Sequence, residues 1–315
     1  MGLNIIAAVI AAVVAYLLTP VVRRVAEKAG IVAQPGGRRV HARPTALMGG
    51  LAMYAGFMAA VGAALLISPE INLSRQAVGI LVGGSLVALV GLLDDKYELP
   101  GWVQALTILA AGYILVLFGV KIYYITSPVK IVLGLFSIPV TMLWVLMVTK
   151  AVDCMDGLDG LAAGISAVAA CTLMLMATYS PGRAMSAVMA AGLFGATIGF
   201  LRFNYPPAKI FMGTVGAQFL GFMLAGISVL GAFKIPTLVA VAIPILVLGV
   251  PLFDTTFVVL KRALTGKKMS EADTTHLHHR LVRRGLSHRQ AVWIIYGLTI
   301  GFCAAAYALF HYLKQ

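Results

Sequence analysis

The chain has 315 residues, of which 61% are hydrophobic and 11% charged, and a formal net charge of +13. Soluble domains carry about a quarter of their residues as charged side chains, so that class is excluded and an all-α, polytopic membrane protein is expected. The basic residues are spread over separate short loops, which argues against a nucleic-acid partner and for anionic lipid or anionic substrates.

Ten apolar runs are candidate spans: roughly 3–22, 47–68, 77–93, 103–119, 131–149, 160–178, 184–201, 215–233, 236–260 and 291–312. Each is near the ~20 residues that a crossing helix needs. They read as one membrane domain covering 1–315, with no soluble domain and no internal repeat. The first run lacks a basic leading segment and a small-residue cleavage site, so a retained first span is expected rather than a signal peptide.

A long loop, 23–46, follows and holds Arg39-Val40-His41. The third run carries Gly79 and Gly83 at the spacing of close helix contact, and Gly195 and Gly199 repeat it in the seventh. The third run ends in Asp94-Asp95. Adjacent carboxylates repel, and stay ionised only when a cation or strong donors neutralise them.

Asp153-Cys154-Met155-Asp156-Gly157-Leu158-Asp159-Gly160 precedes the sixth span. Steps of three place these acids near one face of a helix, and Asp156 or Asp159 is a candidate N-cap. Capping accounts for one acid, not three. The loop after the seventh span leads into Phe211-Met212-Gly213-Thr214-Val215-Gly216-Ala217, where glycines open space near a helix start.

Pro236, Pro244 and Pro251 punctuate the ninth run and predict a kink. In the last long loop, 261–290, a helix over His276-Leu277-His278-His279-Arg280 puts His276, His279, Arg280 and Arg283 on one cationic face, suited to lying at the membrane interface. A diphosphate fits that face better than zinc, because arginine forks onto phosphate oxygens. Ser287 and Gln290 form a capping box for the last span. Cys154, Cys171 and Cys303 have no metal-ligand spacing and imply no disulfide framework.

Lys and Arg set the orientation. With the N-terminus outside, only Arg75, Lys121, Lys130, Arg183, Lys234 and Lys314 of the 24 basic residues fall outside. The positive-inside rule then puts both termini outside and the motif-bearing loops on the cytoplasmic face. Of the 11 acids, Glu70 alone lies outside. Inner acids facing basic loops point to metal and phosphate chemistry.

Taken together, these motifs, in this order on inner loops from Arg39 to Arg289, resemble the polyprenyl-phosphate N-acetylhexosamine-1-phosphate transferases. That group contains the phospho-MurNAc-pentapeptide and undecaprenyl-phosphate GlcNAc-1-phosphate transferases. The run His276-Leu277-His278-His279-Arg280-Leu281 looks like the GlcNAc-1-phosphate branch. The resemblance implies transfer of a sugar-1-phosphate from a UDP-N-acetylhexosamine to undecaprenyl phosphate, with release of UMP. It implies Mg2+ (or Mn2+), a place in the cytoplasmic membrane as a multi-pass protein, and a role in cell-wall or surface-polysaccharide synthesis. The small-residue helix faces allow a homodimer.

By that resemblance Asp94, Asp95, Asp156 and Asp159 are the catalytic acids, with Asp94, Asp95 and Asp153 on the metal. Phe211 stacks on uracil. His276, His278, His279 and Arg280 hold the donor diphosphate or sugar, and His41, Lys150 and Asp153 complete the substrate contacts. The chain also departs from the family pattern. Lys150 and Asp153 stand where asparagines are usual, Thr214 where a metal-binding aspartate is usual, and Trp102 and Gln104 where basic residues are usual. Two readings follow: an active transferase in which Asp153 supplies the carboxylate absent at Thr214, or a non-catalytic relative that binds polyprenyl phosphate or nucleotide-sugar as a scaffold or regulator.

Overall fold

The computed structural model describes residues 1–34, 44–127, 129–232, 239–266 and 275–312. Its helices are α1 (Gly2–Lys28), α2 (Gly50–Ile67), α3 (Arg75–Tyr97), α4 (Gly101–Leu117), α5 (Ser137–Cys154), α6 (Leu161–Thr178), α7 (Ala184–Asn204), α8 (Gly213–Ala232), α9 (Val239–Val247), α10 (Gly249–Thr265), α11 (Leu277–Arg283) and α12 (His288–Tyr312). Two small antiparallel ladders join them: β1 (Val32–Ala33) with β2 (Thr45–Ala46), and β3 (Tyr124–Ser127) with β4 (Val129–Val132).

Among the described residues, eight helices are long and apolar enough to cross a membrane, and α4 is a shorter apolar helix. At 1.5 Å per residue the 17 residues of α4 reach only about 26 Å. The chain is an all-α polytopic membrane protein, and the long runs fall where the hydrophobic pattern places them.

The ninth run differs from the expected single span. It is two helices, α9 and α10, parted at Leu248. Pro244 lies inside α9, while Pro251 sits in the first turn of α10, where a missing N–H costs nothing. Val250, Asp254, Val258 and Arg262 form the buried stripe of α10, and Phe253, Phe257 and Leu260 face outward. The helix is amphipathic, and its buried side carries charge.

Helices α6, α7 and α8 form the most buried part of the bundle. Helix α1 packs on both α2 and α7: Ala11 and Ala15 meet Gly56 of α2, and Ala8 and Ala12 meet Gly195 and Gly199 of α7. A Cβ on Gly195 or Gly199 would collide with the carbonyls of Ala8 and Ala12, so these glycines let two backbones touch. Gly79 and Gly83 likewise make room for Phe118 and Phe222. Outward-facing Ile5, Val9, Val13 and Leu17 of α1 and Trp293, Leu298 and Ile300 of α12 form the bundle's apolar exterior.

Asn4 donates to the Thr178 hydroxyl at 2.8 Å, which fixes the N-terminus beside the C-terminal end of α6. The opposite end of α6, at Gly160, accepts a hydrogen bond from Tyr296 of α12. The N-terminus therefore lies at the end of the bundle away from the acidic turns.

Candidate active site

Loops far apart in sequence converge at that second end. Phe211 N–H donates to Ala46, Gly49 N–H to Phe211 and Gly50 N–H to Met212, at 2.9, 3.0 and 2.9 Å. These bonds tie the entry of α2 to the entry of α8. Gly50 and Gly216 meet so closely that a Cβ on either would strike the other's backbone. Gly216 therefore serves packing.

Asp94 and Asp95 lie in the last turn of α3, which closes at Glu98 in a left-handed conformation. A helix C-terminus repels anions, so both acids need partners from elsewhere. Asp95 finds them at the start of α8, where Thr214 N–H donates to Oδ1 at 2.7 Å and Val215 N–H to Oδ2 at 3.4 Å. The acid of one helix caps the next. Gly213 (φ +69) lies directly against that carboxylate, and a Cβ there would strike it. Asp94, 8% exposed, accepts from Gln104 Nε2 at 2.8 Å.

Gln104 belongs to a polar cluster formed by α3, α4, α5 and α8. Lys150 Nζ donates to Gln104 Oε1 at 2.6 Å and to Asp153 Oδ2 at 2.8 Å. Gln218, 1% exposed, donates to Gln104 Oε1 at 2.8 Å and to Asp153 Oδ2 at 3.4 Å. Asp94, Asp95 and Asp153 thus have three different sets of partners. Among the described residues no group of three His, Cys, Asp or Glu side chains has the geometry of a metal cage.

The expectation that Asp153, Asp156 and Asp159 share a helical face is corrected. Helix α5 stops at Cys154, and Asp156 and Asp159 lie on the turn before α6. Gly160 (φ +75) is the N-cap of α6 and receives no side-chain cap, so neither aspartate caps that helix. The turn is held from outside instead. Asp159 accepts from Ala208 N–H at 2.8 Å, and Asn204 accepts from Gly160 N–H at 3.1 Å while donating to Ile210 at 3.0 Å. Burial, and then the charges of Asp153, Asp95 and Asp159, push the Asp156 carboxyl up to about 8. Burial is the larger cause, and the neighbouring carboxylates add to it.

The histidine segment is docked onto α10 and the turn before α6. His276 precedes the seven-residue α11, and Asp254 of α10 takes His276 Nδ1 at 2.8 Å and Leu277 N–H at 2.7 Å. Arg280 approaches Asp254 at 3.9 Å, with its guanidinium 4.7 Å above the Phe257 ring. Burial alone would lower the His276 pKa, but the Asp254 hydrogen bond, helped by the Cys154 thiol, carries it to about 9. The shift favours the imidazolium form of His276 beside Asp254.

His278, only 1% exposed, is the opposite case. Burial and the neighbouring histidines push it down to about 3, and among the described residues neither ring nitrogen has a hydrogen-bond partner. It stacks on His276 at 5.7 Å and tilts against His279 at 4.2 Å. Its ring fills the space where a Cβ of Gly157 would be. The histidine segment is therefore keyed into the turn that carries Asp156 and Asp159. Gly285 (φ +90) follows α11, and Ser287 and Gln290 form the reciprocal capping box of α12.

Of the residues singled out in the sequence, Asp94, Asp95, Lys150, Asp153, Asp156, Asp159, Phe211, His276, His278, His279 and Arg280 all belong to loops and helix ends on this side of the bundle. His41 lies outside the described residues. Asp254, Gln218 and Asn204 were not among the candidates singled out in the sequence. Asp254 had a signal, since an acid deep in an apolar run is functional by default. Gln218 and Asn204 had none, because their partners are 65 and 44 residues away in the chain.

The family model for glycosyl transferase family 4 matches residues 77–232. The chain is 38% identical over 308 residues to a probable undecaprenyl-phosphate N-acetylglucosaminyl 1-phosphate transferase of Bacillus subtilis, covering 97% of this chain and 84% of that protein. It is 35% identical to a decaprenyl-phosphate N-acetylglucosaminephosphotransferase of Mycobacterium tuberculosis, covering 93% and 79%. Identity to the undecaprenyl-phosphate alpha-N-acetylglucosaminyl 1-phosphate transferase of Escherichia coli K12 is 27%, covering 87% and 75%.

Proposed function

The chain belongs to glycosyl transferase family 4, and we propose that it transfers N-acetylglucosamine-1-phosphate from a UDP-sugar to a polyprenyl phosphate at the cytoplasmic face of the cell membrane. The relatives' names support the transferred group and the polyprenyl acceptor. The observation that carries the reading is the convergence of four aspartates, Asp95, Asp153, Asp156 and Asp159, at one end of a membrane bundle, close enough for their charges to act on Asp156.

An oxygen of the acceptor phosphate attacks the sugar-side phosphorus of the donor. The bond from that phosphorus to the bridging oxygen breaks, the new diphosphate stays on the lipid, and UMP leaves with the electron pair. Such chemistry depends on positioning and on neutralising phosphate charge more than on covalent help. A divalent cation such as Mg2+ supplies that neutralisation when bound.

The donor set fits such an ion. Hard cations of this kind use one or two carboxylates plus substrate phosphates rather than a full protein cage. Asp95 and Asp156 would hold it: the partners of Asp95 are neutral backbone amides, whereas Asp153 has the Lys150 ammonium as counter-ion and Asp94 is tied to the same ammonium through Gln104. Asp156, once a cation has offset the neighbouring carboxylates and left it ionised, would be the candidate to take the proton of the acceptor phosphate. Asp159 holds the 204–210 segment, which leads to Phe211, the candidate stacking surface for uracil. Arg280 and His276 bring positive charge for the donor diphosphate.

Purified protein in nanodiscs, given UDP-GlcNAc, undecaprenyl phosphate and Mg2+, is expected to release UMP and form the lipid-linked sugar diphosphate. A folded sample that binds the lipid yet releases no UMP with any of several UDP-sugars would replace this reading with that of a non-catalytic binder, in line with Thr214 at the entry of α8.

A further inference from the structure

A lysine amine sits between carboxylates where a metal ion would otherwise be expected. Lys150 Nζ lies 2.8 Å from Asp153 Oδ2 and 2.6 Å from Gln104 Oε1, and Gln104 passes the contact on to Asp94 through its Nε2 at 2.8 Å. One ammonium thereby serves two acids, Asp153 directly and Asp94 through a carboxamide. Gln218, almost fully buried, fixes the geometry by donating to both Gln104 and Asp153.

Mg2+ requires oxygen ligands at about 2.0–2.1 Å and near-octahedral space. A divalent ion on Asp153 would meet the Lys150 ammonium at repulsive range. The arrangement also weighs against Asp153 making good the carboxylate absent at Thr214, because its charge already has a counter-ion.

We propose that Lys150 is a resident cation of the site, occupying the Asp94–Asp153 side in place of a divalent ion and presenting an N–H to the phosphomonoester of the acceptor. A lysine ammonium has three N–H donors; two go to Gln104 and Asp153, and the third is available on a side chain 29% exposed. The divalent ion is thus confined to the side of Asp95 and Asp156, and part of the affinity for the acceptor phosphate needs no metal.

The inference rests on the acceptor proposed above, but its test uses no turnover, so absence of UMP release leaves it standing. Mn2+ is titrated by electron paramagnetic resonance into the full chain in nanodiscs, as wild type, Lys150→Asn and Lys150→Arg. Lys150→Asn is expected to bind Mn2+ tighter than wild type by roughly tenfold or more, and Lys150→Arg to bind as wild type does. Equal Mn2+ affinity in wild type and a Lys150→Asn sample that unfolds at the wild-type temperature overturns the proposal.

In EDTA, undecaprenyl phosphate is expected to bind wild type and Lys150→Arg, and to bind Lys150→Asn more weakly by roughly tenfold. Inorganic phosphate is the second probe. A shift with both probes assigns the contact to the phosphate group alone, and a shift with the lipid only adds a requirement for the polyprenyl chain. No shift with either probe overturns the contact.

Discussion

The acidic side of the site and the histidine side solve opposite problems. Around Asp94, Asp95, Asp153 and Asp156, negative charge is in excess, and the protein offsets it with the first amides of α8, two glutamines and Lys150. Around Asp254 positive charge is in excess, with His276 and Arg280 both on one carboxylate. One buried acid holds an imidazolium and a backbone amide, while the adjacent His278 is neutral and acts as a packing piece against Gly157. The first side has charge left for a ligand to complete. The second holds the first in place through a single turn, 155–160, and carries the positive charge of His276 and Arg280. The difference separates chemistry from positioning within one inner face.

The largest expected effect tests the chemical side. Asp156→Asn is expected to lower kcat by about 10²–10³-fold, with thermal unfolding and KM for the UDP-sugar little changed. A variant with wild-type kcat would move the proton-accepting role elsewhere.

Next comes the lock itself. Asp254→Asn removes the partner of a buried imidazolium, which costs about 3 kcal/mol in comparable pairs, and thermal denaturation in detergent should report it. Activity at saturating donor should fall less than stability does.

Gly157→Ala tests whether His278 is a packing piece. Overpacking a tight site costs about 1–3 kcal/mol. The added methyl would collide with His278, so the double variant Gly157→Ala/His278→Ala is expected to recover part of the loss. A double variant no better than the single one would show that Gly157 serves backbone conformation instead.

A pH dependence sharpens the contrast further. His276 titrates near 9 when folded and near its ordinary value of about 6.5 when unfolded. Because its folded pKa is raised, its contribution to stability is complete below the unfolded value. That contribution disappears as pH climbs through about 9. Wild-type unfolding temperature should therefore fall between about pH 6 and about pH 10, and Asp254→Asn should be flatter over that range. The smallest effect belongs outside the comparison: Ser287→Ala removes one half of the α12 capping box, worth about 1 kcal/mol.

Much of this was legible in the chain. The apolar runs gave the helices, since ~20 residues of hydrocarbon leave few alternatives. The acid motifs and the histidine run could be placed on one side from the distribution of Lys and Arg. Local conformation was less legible. The three-residue spacing of Asp153, Asp156 and Asp159 fits a helix, yet Gly157 and Gly160 break it, and the turn depends on Asn204 and Ala208 for support.

The prolines of the ninth run marked a kink, but only packing fixed the break at Leu248. His278 reads by resemblance as a contact to the donor diphosphate or sugar, and its packing partner, Gly157, lies more than 100 residues earlier. Lys150 reads as a substrate contact, and its carboxamide partner comes from α4, 46 residues away. Spacing along one element is written in the sequence, whereas pairing between elements is not.

The division of labour is tested most directly by steady-state kinetics of UMP release from UDP-GlcNAc and undecaprenyl phosphate, with wild type, Asp156→Asn and Asp254→Asn run side by side. The expected result is a loss of kcat confined to Asp156→Asn and a raised KM for the UDP-sugar in Asp254→Asn. Turnover by Asp156→Asn at the wild-type rate, or no UMP from folded wild type, would contradict it.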